Sequence, residues 1–325
     1  MKSRILTTFS LLLATNTAFS ADVLPEKNFD IATPNLQKKQ AETAVPQTTE
    51  QSKTVNMTAE ELIAQPELLT RVLDSQLMLG NAENVEFLLP LYKKTANPDP
   101  LLILYSEAVV AENKGDMKTA IRHYREILSQ NPDLTPTRFR LAAALFADNQ
   151  DEAADDQFQK ILTDPNLPPE VSNLTQQYQA ALQKRQAWSF SGYFQYLQDN
   201  NINNAPKDRE YQGWETAKPE KAHGVGYGVS VGKDTPLPKG HFWRIAADAD
   251  GEFYWDNHKY DELTVRVTTG GGHKSLKSEI AVLPFFEKKW YGGETYAHTP
   301  GLRVSAKHNL NANWQVSAAV EASRK

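Results

Sequence analysis

From Trp188 to Lys325 the chain alternates apolar residues with small or polar ones in short runs. In the run Gly224 to Gly232, Val225, Tyr227, Val229 and Val231 take one side. Gly224, Gly226, Gly228, Ser230 and Gly232 take the other. Strand side chains alternate with period two, so this run is a two-faced strand and not an amphipathic helix. Trp188, Phe190, Phe194 and Tyr196 oppose Ser189, Ser191, Tyr193 and Gln195 in the same way. Trp243, Ile245, Ala247, Ala249, Phe253 and Trp255 oppose Arg244, Asp248, Asp250 and Glu252. Leu263, Val265 and Val267 oppose Thr264, Arg266 and Thr268, and Gly270-Gly271-Gly272 then reads as a turn. Ile280 and Val282, Leu302 to Ala306, and Trp314 to Val320 complete seven predicted strands.

Between Met57 and about Arg185 the period changes to that of helices. Thr58 with Glu61 three residues on is a capping-box signal. Ala120, Tyr124, Ile127 and Leu128 recur 34 residues later as Ala154, Phe158, Ile161 and Leu162, and Ala108 recurs as Ala142. A helix-turn-helix unit of that period is the tetratricopeptide (TPR) signature. Gly115-Asp116 marks the turn inside the first unit. Units are assigned to 101–134 and 135–168, with a closing helix near Pro169 to Arg185. A degenerate unit is expected at about 60–99, with Glu86 and Pro90 at the places of Ala120 and Tyr124. Such repeats stack into a curve lined on its concave side by the first helix of each pair. Tyr105, Val109, Glu112, Phe139, Arg140 and Phe146 are the candidate partner-binding residues there. The competing reading of Tyr105, Phe139 and Phe146 is plain core.

The face opposite the apolar rows decides the setting of the strands. It mixes Gly, Ser and Thr with both signs of charge, which suits the polar lumen of an outer-membrane barrel better than the outside of a soluble sandwich. A charge turned to lipid at the midplane costs about 2–4 kcal/mol. Arg244, Asp248, Asp250, Arg266, Arg303 and Lys307 are therefore expected to face the lumen. All six tryptophans fall in this region, several at strand ends, as interface girdles require.

Met1 to Arg4 is a short basic stretch, followed by the apolar run Ile5–Leu13 and a small-residue exit at Ala18-Phe19-Ser20. That is the pattern of a signal peptide cleaved after Ser20. Residues 21–56 are polar, with Pro25, Pro34 and Pro46, and read as a disordered linker. The expected organisation is 1–20 signal peptide, 21–56 linker, 57–187 periplasmic TPR-like helical domain and 188–325 partial outer-membrane barrel. The fold class is α followed by β: a TPR-like solenoid, then an antiparallel transmembrane barrel with about seven strands present. At the junction Gln183 to Trp188, a basic helix end would meet the membrane interface.

Composition narrows the chemistry. With no cysteine, neither a disulfide nor a lipid on an N-terminal cysteine can form. The seven histidines have no metal spacing, and neither G-x-S-x-G nor a P-loop occurs. Asp248-Ala249-Asp250-Gly251 opens like a calcium loop but lacks its later ligands. No enzyme activity, cofactor or metal is expected. A net charge of −5 argues against nucleic acid.

The repeat helices, the strand series and the run Gln198 to Pro206 closing the first strand together resemble the surface lipoprotein assembly modifier family. Its members carry periplasmic TPR repeats and an outer-membrane barrel of fourteen strands. The resemblance implies transport or display of lipoproteins on the cell surface. Its expected partners are a surface lipoprotein client, outer-membrane lipid and a periplasmic chaperone. Seven strands are half of that barrel, an odd count, and the chain stops at Glu321 to Lys325 without a final aromatic. A fragment, a truncated product or half of a split barrel is expected from this. The alternative function is an exopolysaccharide export porin, which calls for a lumen charged to match the polymer. A nonspecific porin gives no reason for the repeats.

Overall fold

Alternating and helical periods resolve into two units in the computed structural model, which describes residues 5–14, 58–206, 210–211, 214–215, 217–311 and 313–324. The linker at 21–56 lies outside these residues, as does the cleavage point after Ser20.

The helical unit runs α1 (Ala59–Ile63), α2 (Pro66–Met78), α3 (Ala82–Tyr92), α4 (Pro100–Asn113), α5 (Met117–Gln130), α6 (Thr135–Ala147), α7 (Asp151–Leu162) and α8 (Pro169–Gln186). Thr58 opens it with a reciprocal capping box. Its Oγ1 accepts from the Glu61 N–H at 3.3 Å, and Glu61 Oε2 accepts from the Thr58 N–H at 2.8 Å. The repeated positions are the core. Ala108, Ala120, Tyr124, Ala142, Ala154 and Phe158 have no exposed surface. The alanines let paired helices close up, and the aromatics fill the adjoining groove. Gly115, at φ +70°, ends α4, and Asn149, at φ 57°, takes the same left-handed turn one repeat later.

The upstream unit corrects the expected register. Gly80, at φ 68°, makes the equivalent turn, and α3 starts 35 residues before α5, not 34. Val85 and Leu89, both buried, therefore stand where Ala120 and Tyr124 do later. Glu86 and Pro90 face away from that core. One inserted residue rotates a helix by about 100°, which hid the unit from a strict period.

The sheet unit contains β1 (Ile5–Ala14), β2 (Ser189–Asp199), the short β3 (Glu210–Tyr211) and β4 (Trp214–Glu215), then β5 (Ala222–Leu237), β6 (His241–Tyr254), β7 (Glu262–Lys274), β8 (Ser278–Tyr291), β9 (Glu294–Asn309) and β10 (Gln315–Arg324). β3 and β4 pair with each other. The rest form an antiparallel sheet in the order β1-β10-β9-β8-β7-β6-β5-β2. All seven strands expected after residue 187 are present, and the sheet is open: β1 and β2 are its two edges. β1 is the apolar run read as a leader, paired from Ile5 opposite Arg324 to Ala14 opposite Gln315. Gly270-Gly271-Gly272 is not a turn but the interior of β7, and the chain reverses at residues 275–277. The glycines are needed there because the Phe242 ring lies on Gly272, where a Cβ would stand 2.5 Å from its Cζ. No described helix is long and apolar enough to cross a membrane, which leaves the strands' role untouched.

Candidate functional site

Register carries the two-faced pattern from strand to strand. Asp234 lies opposite Arg244, Ser230 opposite Asp248, Gly228 opposite Asp250, Asp248 opposite Arg266, and Arg266 opposite Glu287. Leu283 lies opposite Arg303, Glu279 opposite Lys307, and Arg303 opposite Glu321. Arg244, Asp248, Asp250, Arg266, Arg303 and Lys307 therefore share one face. The opposite face carries Phe190 and Phe194, each 74% exposed, with Val229, Ile245, Val267, Ile280, Val282, Phe286, Leu302 and Val304 also exposed. By register, every Asp and Glu in β2 and β5–β10 falls on the polar face.

The polar face is stitched by two arginines. Arg244 grips Asp234 through Nε and Nη2, both at 2.7 Å, and its Nη2 also reaches Glu279 Oε1 at 3.1 Å. Arg266 donates to Glu287 Oε2 from Nε and Nη2 at 2.9 and 2.7 Å, and to Glu321 Oε2 from Nη1 at 3.2 Å. Arg303 Nη1 lies 3.9 Å from the same Glu321 oxygen, so the network crosses β7 to β10. Opposite signs offset one another within these two networks, while the wall as a whole keeps more carboxylates than cations, Asp248, Asp250 and Glu252 standing together on β6. Among the described residues, no cluster could hold a metal ion. Where β2 meets β5, Tyr193 lies flat on Gly228: a Cβ there would stand 2.1 Å from its Cε1.

Loops at one end are fixed by asparagines in the run Gln198 to Pro206. Asn201 caps Ala205 in both directions, accepting from its N–H at 2.9 Å and donating to its carbonyl at 3.0 Å. Asn203 holds the returning strand by accepting from the Glu220 N–H and donating to the Lys218 carbonyl.

In the helical unit the candidate face divides. Val109 and Phe146 are 4% and 5% exposed and belong to the core, because Val109 packs towards α2 and α3 while Phe146 is capped by Arg185. Tyr105, Glu112, Phe139 and Arg140 are half-buried. Glu112 Oε2 accepts from the Tyr124 hydroxyl at 2.8 Å and lies 3.5 Å from Arg140 Nη1. Tyr105 meets Tyr124 edge-on at 5.9 Å, and Phe139 meets Tyr178 edge-on at 5.8 Å. Burial works hardest against the Arg140 charge, but Glu112, Tyr124 and Tyr105 together outweigh it and hold the guanidinium above its ordinary value. Burial, then Glu112, pushes the Tyr124 and Tyr178 hydroxyls up.

Tyr178 and Arg185 were not among the sequence candidates. Tyr178 stacks on Phe158 at 4.9 Å and is the aromatic of the closing helix, the signal that marks it. Arg185 does not extend a basic end towards an interface. Its Nη1 donates to Asp151 Oδ1 and the Phe146 carbonyl, both at 2.9 Å, with the guanidinium 3.6 Å above the Phe146 ring.

Two family models match this division. The surface lipoprotein assembly modifier model covers residues 188–325, and the model of that family's N-terminal TPR repeats covers residues 55–158. A surface lipoprotein assembly modifier of Pasteurella multocida is 35% identical over 94% of this chain and 64% of its own length. Surface lipoprotein assembly modifier 1 of Haemophilus influenzae is 35% identical over 91% of the chain and 63% of its own length. The Neisseria meningitidis protein of the same name is 34% identical over 85% and 56%. The chain thus spans less than two thirds of the length of these relatives. No solved structure matches it. With helical repeats and two-faced sheet each matched by a model of one family, the chain belongs to the surface lipoprotein assembly modifiers.

Proposed function

We propose that this chain is an outer-membrane assembly factor that moves lipoproteins to, or displays them on, the cell surface. Residues 188–325 form wall strands with the apolar face in lipid, and the polar face lines the conduit. Residues 57–187 stand in the periplasm and engage the client along Tyr105, Glu112, Phe139 and Arg140. Residues 1–20 act as a leader and 21–56 as a tether.

The observation that carries the proposal is the face without carboxylates. Trp243 and Phe253 on β6 are ten residues apart. At about 3.3 Å per residue and a tilt of about 40°, they bracket a band of about 25 Å, the height of the apolar belt on outer-membrane barrels. In lipid the sheet's two edges have to be paired, so the wall is proposed as part of a closed barrel. The relatives' names support a lipoprotein client. The paired charges around Arg266 favour this over polysaccharide export, which calls for a lumen matched to a charged polymer.

Co-expression with a candidate lipoprotein is expected to make it protease-accessible on intact cells, and a Tyr105→Ala, Arg140→Glu variant to reduce that exposure with helicity retained. Unchanged lipoprotein exposure, with polymer secretion falling on deletion, would overturn the proposal.

A further inference from the structure

The two ends of the sheet differ in charge. At one end the connections β5–β6, β7–β8 and β9–β10 read Pro238-Lys239-Gly240, Ser275-Leu276-Lys277 and Leu310 to Trp314, without a carboxylate. At the other end the connections carry the carboxylates Glu220, Asp256 and Asp261 among Lys218, Lys221 and Lys259. Asp256 accepts from the His223 N–H at 2.8 Å, and Glu220 pairs with Lys259.

On the apolar face at the first end stand Lys233, His241, His273 and His308, with Lys239 and Lys277 in the turns. His241 and His273 are register partners, their rings edge to face with centroids 5.0 Å apart. His308 lies opposite Ser278, its Nδ1 2.7 Å from the hydroxyl. All but Lys233 are exposed; Lys233 is half-buried, its ammonium 5.9 Å above the Trp188 ring. The nearest carboxylates in the sheet, Asp234 and Glu279, are on the polar face and held by Arg244. Trp188, Trp243 and Trp314 lie at this same end, and interfacial tryptophans sit at head-group level. Ammonium and imidazole N–H donors are thus arrayed at the depth of lipid phosphates, with no carboxylate beside them to compete.

We propose that this collar binds the phosphate head groups of anionic phospholipid in the leaflet it faces, a surface that fixes the sheet's depth and direction in the bilayer. The inference rests on the membrane reading above. β2 follows α8 directly at this end, so the leaflet is the periplasmic one.

The test uses the full chain carrying W214F, W255F and W290F, so that only the three collar tryptophans report. It is reconstituted in phosphatidylcholine vesicles containing roughly one third phosphatidylglycerol, with bromine on the acyl chains of one lipid at a time. Brominated phosphatidylglycerol is expected to quench about twofold more than its bulk share, and K233Q/K239Q/K277Q to return quenching to that share. Equal quenching per mole by both lipids would overturn the collar while leaving the membrane reading intact. Quenching by neither would overturn both. Loss of the preference in millimolar inorganic phosphate would mean a free-phosphate site and also overturn it.

Discussion

Arg244 on β6 reaches past β7 to Glu279 on β8, Nη2 to Oε1 at 3.1 Å, while holding Asp234 on β5 with the same guanidinium. Its register partner on β7 is Gly270, where a Cβ would stand 2.2 Å from the Val282 carbonyl oxygen of β8. One side chain therefore ties three strands, β5, β6 and β8, across the intervening β7.

Arg244→Ala takes the guanidinium from Asp234 on a half-buried face and leaves Glu279 with Lys274 at 3.8 Å. Removing one member of such a group costs about 2 kcal/mol, less than the 3–5 kcal/mol of a fully buried pair because each partner keeps some contact with water. A lower urea midpoint for the folded sheet in detergent is the expected result, with Arg244→Lys intermediate because an ammonium cannot hold Asp234 in bidentate fashion. An Arg244→Ala midpoint equal to wild type would show that the network adds nothing.

Gly228 and Tyr193 make a second, steric pair. Gly228→Val drives new carbons into the Tyr193 ring, and overpacking of this kind costs about 1–3 kcal/mol. Tyr193→Ala in the same chain is expected to restore most of the loss, which a double-mutant cycle on the urea midpoint reads as coupling. Additive losses would place the ring elsewhere.

Tyr124 gives the helical unit a pH signature. Burial, and then the Glu112 carboxylate accepting from its hydroxyl, hold its pKa far above the ordinary tyrosine value. The folded unit keeps a proton that the unfolded chain gives up near pH 10. Stability is thus complete below that pH and falls above it, at up to about 1.4 kcal/mol per pH unit for one proton. Resistance of residues 57–187 to chemical unfolding, read within the full chain, is expected to weaken from pH 10 upward. Tyr124→Phe lessens that slope by one proton's share, Tyr178 keeping its own, and costs about 1 kcal/mol at neutral pH.

Most of the fold is written in local periods. Alternation needs only neighbours, so all seven strands after residue 187 and both of their faces could be read directly. The 34-residue repeat likewise exposed Ala120, Tyr124, Ala154 and Phe158 as core. What escaped depends on partners distant in sequence. Gly270 to Gly272 has turn composition, yet Phe242 and Trp243 on one neighbouring strand and the Val282 carbonyl on the other claim that space. Val85 and Leu89 were masked by one inserted residue. Between surface and core the sequence leaves Phe146 open, because its cover, Arg185, lies 39 residues on. Of the candidate site, the chemical types were legible in sequence, whereas the pairing of Arg266 with Glu287 and Glu321 required the register.

The N-terminal run holds the last prediction. Residues 5–14 pair with β10 as the edge strand β1, and the same residues, following the basic Lys2 and Arg4 in sequence, carry the apolar pattern of an exported leader. Both cannot operate in the mature protein: cleavage after Ser20 removes β1 and leaves the β10 backbone from Gln315 to Arg324 to pair elsewhere. Unpaired strand edges are strongly unfavourable in lipid, so β10 then requires another strand as partner. N-terminal sequencing of the protein isolated from outer membranes is expected to begin at Ala21. Amide exchange along Gln315–Arg324 is then expected to stay slow, because that replacement strand protects it. A mature chain that still begins at Met1 would instead establish β1 as part of the working sheet.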